Sequence, residues 1–328
     1  MHAFSADRFR DEKDIRCRWR RAGAMGREVS EIGRVLRREG RMTSILQCPV
    51  CRDLLFRSEG GCQCAQGHTF DAARQGYVNL LLAHQKHSKE PGDSREMILS
   101  RRRFLDQGHY DRVSDGINEA VAGALGGQER GRACHVLDAG CGEGFYLKRL
   151  KASLERSPGV PAVIDYYGVD IAKFAVQQAT QRDRKMNWFV ASIIDLPFVH
   201  SSLDIVLNVF SLVDFPEFSR VLRETGMLVI ARPGSGHLNG LREIIYLVVK
   251  EHAQSKMIEQ ARGFFSLSTT TRVRYRLELQ SSGEIRGLLA MTPYFWNIDL
   301  NTRAKVEALD RLALDVDVMI HVFTKTRG

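Results

Sequence analysis

The chain has 328 residues, 44% of them hydrophobic and 27% charged, a composition that supports a buried core and excludes a wholly disordered or fibrous protein. Its formal net charge of +9 and pI near 9.3 make an anionic partner such as nucleic acid attractive. No run of about 18 apolar residues and no secretory leader pattern occurs, so the expectation is a cytoplasmic protein with no membrane association.

Residues 1–41 hold 12 basic against 7 acidic residues, +5 of the total charge, and show little apolar periodicity. They are expected to form a basic extension, 1–42, without a fold of its own. The acids Asp7, Asp11, Glu12 and Asp14 contradict an organelle transit peptide. Met42 offers an alternative start of translation just ahead of the first module.

Four of the seven cysteines fall between Cys48 and Cys64, a clustering that favours metal over a disulfide framework in a reducing compartment. Cys48-Pro49-Val50-Cys51 is one knuckle, and Cys64 with His68 is a second. Two such pairs separated by a hairpin-length loop present four ligands tetrahedrally to zinc. Cys62 competes with Cys64, but Cys48, Cys51, Cys64 and His68 make the tighter set. A closed four-ligand site folds a module and does no chemistry, so residues 43–83 read as a zinc-binding domain that presents backbone and basic side chains to a partner. A basic connector over 84–110 follows, with His84, Lys86, His87, Lys89, Arg95, Arg101, Arg102 and Arg103 suited to neutralising phosphates.

From residue 111 the pattern alternates helix and strand. Helices are expected at Val113–Leu125, Phe145–Leu154, Lys173–Arg182, Glu217–Leu222 and Leu238–Glu251. Strands are expected at His135–Ala139, Tyr166–Val169, Asn187–Val190, Asp204–Phe210, Met227–Ala231 and Val318–Thr324. Between the first strand and its helix lies Asp138-Ala139-Gly140-Cys141-Gly142-Glu143-Gly144. Its glycines permit a tight turn and close approach of backbone to a ligand. Dinucleotide folds carry GxGxxG and bring pyrophosphate to the helix N-terminus. Here the third glycine comes one residue early, and Glu143 would repel a pyrophosphate. A nucleoside carrying a cationic sulfonium suits this loop better, and Asp170, ending the next strand, is placed to accept hydrogen bonds from ribose hydroxyls. The pattern resembles the class I S-adenosylmethionine-dependent methyltransferases, a doubly wound, Rossmann-like α/β fold, here over residues 111–328 and preceded by the small zinc domain.

Other motifs narrow the resemblance. These are His68-Thr69-Phe70-Asp71, Gly76-Tyr77-Val78-Asn79-Leu80-Leu81, Pro91-Gly92-Asp93-Ser94, Arg101-Arg102-Arg103-Phe104-Leu105 and Gly108-His109-Tyr110, then Pro233-Gly234-Ser235-Gly236-His237-Leu238 and Met291-Thr292-Pro293. In order and spacing, over about residues 46–328, the chain resembles the bacterial 23S rRNA (guanine-N1)-methyltransferases, of which one branch confers resistance to macrolides such as tylosin. The resemblance implies methyl transfer to N1 of a guanine in 23S ribosomal RNA, zinc on Cys48, Cys51, Cys64 and His68, and S-adenosylmethionine contacts at Tyr110, Gly142, Glu143 and His237. The loop logic adds Asp138, Gly140 and Asp170.

No catalytic base is identified. Asp214, in a loop that departs from the family pattern, is a candidate carboxylate, although a loop aspartate more often serves solvation. Phe210, Phe215, Tyr294, Phe295 and Trp296 are candidate stacking partners for an extruded guanine. Two other readings stand beside this one: a small-molecule methyltransferase whose zinc knob serves a homodimer, and a noncatalytic RNA-binding protein that retains the fold.

Overall fold

A computed structural model describes residues 44–58, 60–86, 91–126, 132–246, 254–292, 295 and 298–326. The expected N-terminal extension, His87 and Lys89 of the basic stretch, and Tyr294 and Trp296 lie outside the described residues.

A short antiparallel meander comes first, built from β1 (Leu55–Ser58), β2 (Gly61–Cys64) and β3 (Thr69–Asp71). Everything after it is organised on an eight-stranded sheet. Its strands are β4 (Val78–Asn79), β5 (Cys134–Ala139), β6 (Ile164–Asp170), β7 (Asn187–Val190), β8 (Leu203–Val209), β9 (Leu222–Pro233), β10 (Phe265–Leu279) and β11 (Leu312–Lys325), in the order β10-β11-β9-β8-β5-β6-β7-β4. Strands β4 through β9 run parallel, and β10 and β11 form an antiparallel pair at one edge. The order reverses between β5 and β8, the point at which doubly wound sheets bind ligands beyond the strand C-termini.

The α-helices among the described residues are α1 (Arg95–Asp106), α2 (Asp111–Leu125), α3 (Phe145–Leu154), α4 (Lys173–Arg182), α5 (Phe215–Val221), α6 (Leu241–Ile245), α7 (Gln254–Ala261), α8 (Ser282–Ala290) and α9 (Leu300–Glu307). The β8 sequence is buried along its whole length because it is covered on both faces. Ile205, Leu207 and Val209 join one core, whereas Leu203 and Val206 join the other.

The expected helices Phe145–Leu154 and Lys173–Arg182 and the strand Asn187–Val190 are present with those bounds. The strand expected at Val318–Thr324 is the end of a much longer one, β11. Its partner β10 lies outside the expectations, although Val273, Tyr275, Leu277 and Leu279 alternate with Arg272, Arg274, Arg276 and Glu278, the period-two signal of a half-buried strand. The helix expected at Leu238–Glu251 is α6, after which residues 247–253 lie outside the described ones.

Much of the stretch expected to be a connector, 84–110, is the helix α1. Ser94 caps α1 by accepting the Met97 N–H at 3.2 Å, and Ile98, Phe104 and Leu105 of that helix are buried. Its arginines have partners inside the molecule. Arg95 lies 4.4 Å from the Phe174 ring centre, Arg101 pairs with Asp93 at 2.6 Å, and Arg102 donates to the Gln178 carbonyl at 3.0 Å.

The cysteine-rich segment is joined to the sheet. Leu46 forms an antiparallel bridge with Phe198, Gln47 N–H donates to Pro197 O at 2.9 Å, and β4 pairs with β7. Ile45, Leu46, Leu55 and Leu80 share one hydrophobic core with Phe189, Phe198 and Val206.

Candidate active site and metal centre

Two backbone turns build the metal centre. Arg52 N–H donates to Cys48 O at 2.9 Å and Gly67 N–H to Cys64 O at 3.1 Å. Left-handed Arg52 (φ 66°) and Gly67 (φ 83°) close the turns. The ligating atoms of Cys48, Cys51, Cys64 and His68 all fall within 4.8 Å of one another, with Cys51 Sγ 3.6 Å from Cys64 Sγ and Cys64 Sγ 3.4 Å from His68 Nδ1. Burial pushes the Cys51 thiol up to about 12. Burial also raises the Cys64 thiol, but hydrogen bonds with His68, Cys51 and Gln66 together outweigh it and bring that group down to about 7. Three sulfurs this close resist joint ionisation unless a cation sits among them, and the Cys3His set is one that zinc takes. Cys62 is buried in β2 and stands outside the cluster.

A cavity of about 810 Å³ opens at the C-terminal ends of the central strands. The Gly140–Gly144 loop forms part of its wall. Gly140 (φ 86°) has no room for a side chain, since a Cβ there would stand 2.0 Å from Ser211 Oγ. Gly142 (φ 53°) has space above it, with Arg101 Nη1 the nearest atom at 3.8 Å from such a Cβ. The loop therefore bares its backbone to the cavity with a guanidinium alongside. Asp170 accepts the Gly142 N–H at 2.9 Å and the Ala172 N–H at 2.8 Å, so it orders the loop while also lining the cavity.

The seven residues expected to meet the cofactor divide. Tyr110, Gly140, Gly142, Glu143, Asp170 and His237 line the cavity. Asp138 is among the buried residues behind it, with both carboxyl oxygens unpartnered, and burial, assisted by Asp170, pushes its carboxyl up to about 8. Glu143 is buried and ion-paired with Arg182, which also holds Asp106 at 2.7 Å. The imidazole of His237 accepts the Asp317 N–H at Nδ1, 3.2 Å away. That bond sets the tautomer, so Nε2–H faces the Tyr110 hydroxyl at 3.3 Å.

Phe210 stacks on His237 with ring centres 5.9 Å apart and an interplanar angle of 22°. It keeps 38% of its surface exposed and adopts φ 52°, a conformation that costs a non-glycine residue about 1–3 kcal/mol and gathers at ligand sites. Phe215 behaves otherwise: it is buried against Phe265 and Phe323, a core residue. Phe295 is buried under Arg303. Asp214 caps α5 by accepting the Glu217 N–H at 2.9 Å and does not line the cavity; it is a structural cap, which corrects its expected candidacy as a base.

Arg101, Asp93, Arg232, Met257 and His321 also line the cavity and were not assigned to it from sequence. Arg101 carried a signal in its triple-arginine motif. Asp93 carried one in the Pro91-Gly92-Asp93-Ser94 motif, whereas Arg232, Met257 and His321 come from elements whose neighbours only the fold defines. The bared loop, the cation beside it and the polar Tyr110–His237 pair fit a nucleoside with an amino-acid tail, the shape of S-adenosylmethionine.

Residues 46–89 match a zinc-ribbon family described as "RlmA, N-terminal", and residues 137–230 match "Methyltransferase domain". The chain is 32% identical over 262 residues to the 23S rRNA (guanine(748)-N(1))-methyltransferase of Streptomyces fradiae, covering 79% of this chain and 89% of that protein. It is 30% identical over 284 residues to a Bacillus subtilis (strain 168) protein provisionally named a 23S rRNA (guanine-N(1)-)-methyltransferase, with 84% and 96% covered. A Micromonospora griseorubida protein with the same provisional name is 31% identical over 283 residues, with 80% and 91% covered. With a zinc-ribbon match, a methyltransferase-domain match and relatives aligned over most of their own length, the chain belongs to the 23S rRNA (guanine-N1)-methyltransferase family.

Proposed function

We propose that this protein transfers a methyl group from S-adenosylmethionine to N1 of a guanine in 23S ribosomal RNA, acting in the cytoplasm. The observation that carries the reading is one cavity that joins the bared Gly140–Gly144 loop to the exposed face of Phe210. A donor and a planar acceptor held there would meet without further assembly, and such positioning supplies much of the catalysis of a displacement reaction.

Bound S-adenosylmethionine supplies a methyl group made electrophilic by its sulfonium. Around it, Gly142 offers backbone, Asp170 and the Tyr110–His237 pair offer polar contacts, and Arg101 stands where a cofactor carboxylate would be held by charge-assisted hydrogen bonds. Glu143, within the loop, supports its shape through the ion pair with Arg182, and Asp138 is buried without lining the cavity. Phe210 provides a stacking face for an extruded guanine. Cys48, Cys51, Cys64 and His68 hold zinc that braces the ribbon against the catalytic sheet.

The N1 proton of guanine must leave before or during transfer, so the site needs a proton acceptor and a group that steadies the oxygen beside it. Labelled-methyl transfer to an unmodified 23S rRNA fragment, followed by primer extension, tests the reading. A stop one residue before a guanine supports it because an N1 methyl blocks pairing. Label appearing at another base position, or none, refutes it. Among the described residues no helix is long and apolar enough to cross a membrane.

A further inference from the structure

Beyond the cofactor residues, the cavity is lined by two basic side chains without an assigned role. Arg232 ends the run of β9 before Pro233 and is half-buried, and among the described residues its guanidinium makes no ion pair and no hydrogen bond. His321 lies on β11, 2% exposed, with Nδ1 2.9 Å from Thr270 Oγ1. Its Nε2 is buried with no hydrogen-bond partner. An unpaired imidazole nitrogen and an unpaired guanidinium are costly to bury together unless a ligand completes them.

Their place in the sheet says which ligand. Along the order β6-β5-β8-β9-β11, the cavity is lined in turn by Asp170, Gly140, Phe210, Arg232 and His321. Asp170 and Gly140 belong to the donor end, and Phe210 follows on the next strand. Arg232 and His321 come after it, with Arg232 two strands from β5, about 10 Å away. This is the side on which an acceptor stacked on Phe210 would present its edge.

We propose that His321 Nε2 accepts the N1 proton of the target guanine while the Arg232 guanidinium holds its O6. The proposal rests on the guanine-N1 reading above. N1–H and O6 are adjacent on one edge of guanine, and His321 and Arg232 both line the cavity with the Arg232 charge close enough to act on the imidazole. In the tautomer in which Nδ1–H donates to Thr270 Oγ1, the buried and unpartnered Nε2 carries the lone pair. The N1–H bond breaks and its proton goes to Nε2. The electron pair left on N1 forms the bond to the methyl group, and the pair of the cleaved carbon–sulfur bond stays on sulfur. The imidazolium then returns its proton to solvent. The Arg232 charge stabilises the oxygen that gains electron density as N1 loses its proton, and its planar fork suits a carbonyl oxygen.

The groups that face His321 support a neutral ring. Ile230 opposes it on β9 and Thr270 on β10, Met257 of α7 lines the same cavity, and Arg232 is the charged group that acts on it. Burial first, and the Arg232 charge second, hold the imidazole below its ordinary value.

Single-turnover methyl transfer to a 23S rRNA hairpin transcript, at saturating S-adenosylmethionine from pH 5 to 9, tests the assignment with His321→Gln, Arg232→Met, Arg232→Lys and Thr270→Val. His321→Gln should lose at least ~100-fold in rate while cofactor affinity, read by calorimetry, and transcript affinity stay unchanged. The acid limb of the wild-type pH profile should be absent in His321→Gln and displaced in Thr270→Val, which keeps the ring and removes its acceptor. Arg232→Lys should retain more rate than Arg232→Met. A His321→Gln rate within ~2-fold of wild type, or an unmoved limb in Thr270→Val, overturns the proposal. Wild-type protein that leaves N1 of the transcript unmethylated overturns the guanine-N1 reading itself, whereas active wild type with indifferent variants overturns only the roles of His321 and Arg232.

Discussion

Leu46, two residues before the first metal-site cysteine, bridges to Phe198 of the catalytic half in antiparallel fashion, and the side chains around this bridge belong to one core. The ribbon and the sheet are therefore expected to unfold as a unit. Chelating the metal, or replacing Cys64 by Ser, should lower the melting temperature of the whole chain in a single calorimetric transition, because binding energy at such a site is folding energy. A catalytic transition that keeps its temperature after metal removal would show the two halves to be energetically separate.

The Tyr110–His237 pair should matter to cofactor affinity. Tyr110→Phe removes one hydrogen bond and should weaken S-adenosylmethionine binding by up to ~10-fold. His237→Phe also loses the bond that anchors the ring to Asp317 N–H and should cost more. Isothermal titration on the two variants decides the order; equal losses would mean that the His237 anchor adds nothing.

Arg101 is expected to hold the carboxylate of the cofactor. Arg101→Met should weaken binding by about 10- to 100-fold, the worth of a hydrogen bond to a charged group. A decarboxylated analogue should bind the variant and the wild type alike. If the variant loses affinity for that analogue to the same degree, Arg101 acts through Asp93 and the loop and not on the ligand.

Glu143 and Arg182 form a buried pair, and removing one partner exposes the other to desolvation without compensation. Burial already pushes the Glu143 carboxyl upward against the pull of Arg182. Arg182→Ala should destabilise by about 3–5 kcal/mol in denaturant unfolding, and adding Glu143→Gln should recover a large part of it. Additive losses in the double variant would mean that the pair is not coupled.

Asp138 gives a pH signature. Its folded-state value of about 8 lies above the ordinary carboxylate value of about 3.9, so the folded chain holds a proton that the unfolded chain releases. Its contribution to stability is fully present below pH ~4 and is lost as pH rises toward ~8. Asp138→Asn cannot lose a proton. Its melting temperature relative to wild type should rise steadily from pH 4 to pH 8.5, and a constant difference over that range would place the wild-type carboxylate in its charged form throughout.

Much of the fold is readable one segment at a time. Helices α3 and α4 and strand β7 keep their expected bounds because apolar periodicity and the flanking Gly144 and Asp183 act within a few residues. Of the long antiparallel pair β10–β11 only the second half of β11 was read, because the arginines and threonines of β10 carry it along an exposed edge where hydrophobicity is weak. Asp214 shows the same limit in the site: a carboxylate ahead of a short helix looks like a base until the Glu217 N–H is seen to occupy it.

The amino-acid sequence by itself determined the Cys48, Cys51, Cys64 and His68 set, the glycine loop after β5 and the family resemblance, since ligand spacing and turn chemistry are local properties of the chain. Only the tertiary structure decided that the ribbon shares a core with the sheet, that Asp138 stands behind the cavity wall, and that Arg101, Arg232 and His321 meet in one space. Those relationships depend on which strands lie side by side and which faces are covered. Burial and charge acquire their chemical consequences only after distant segments have packed.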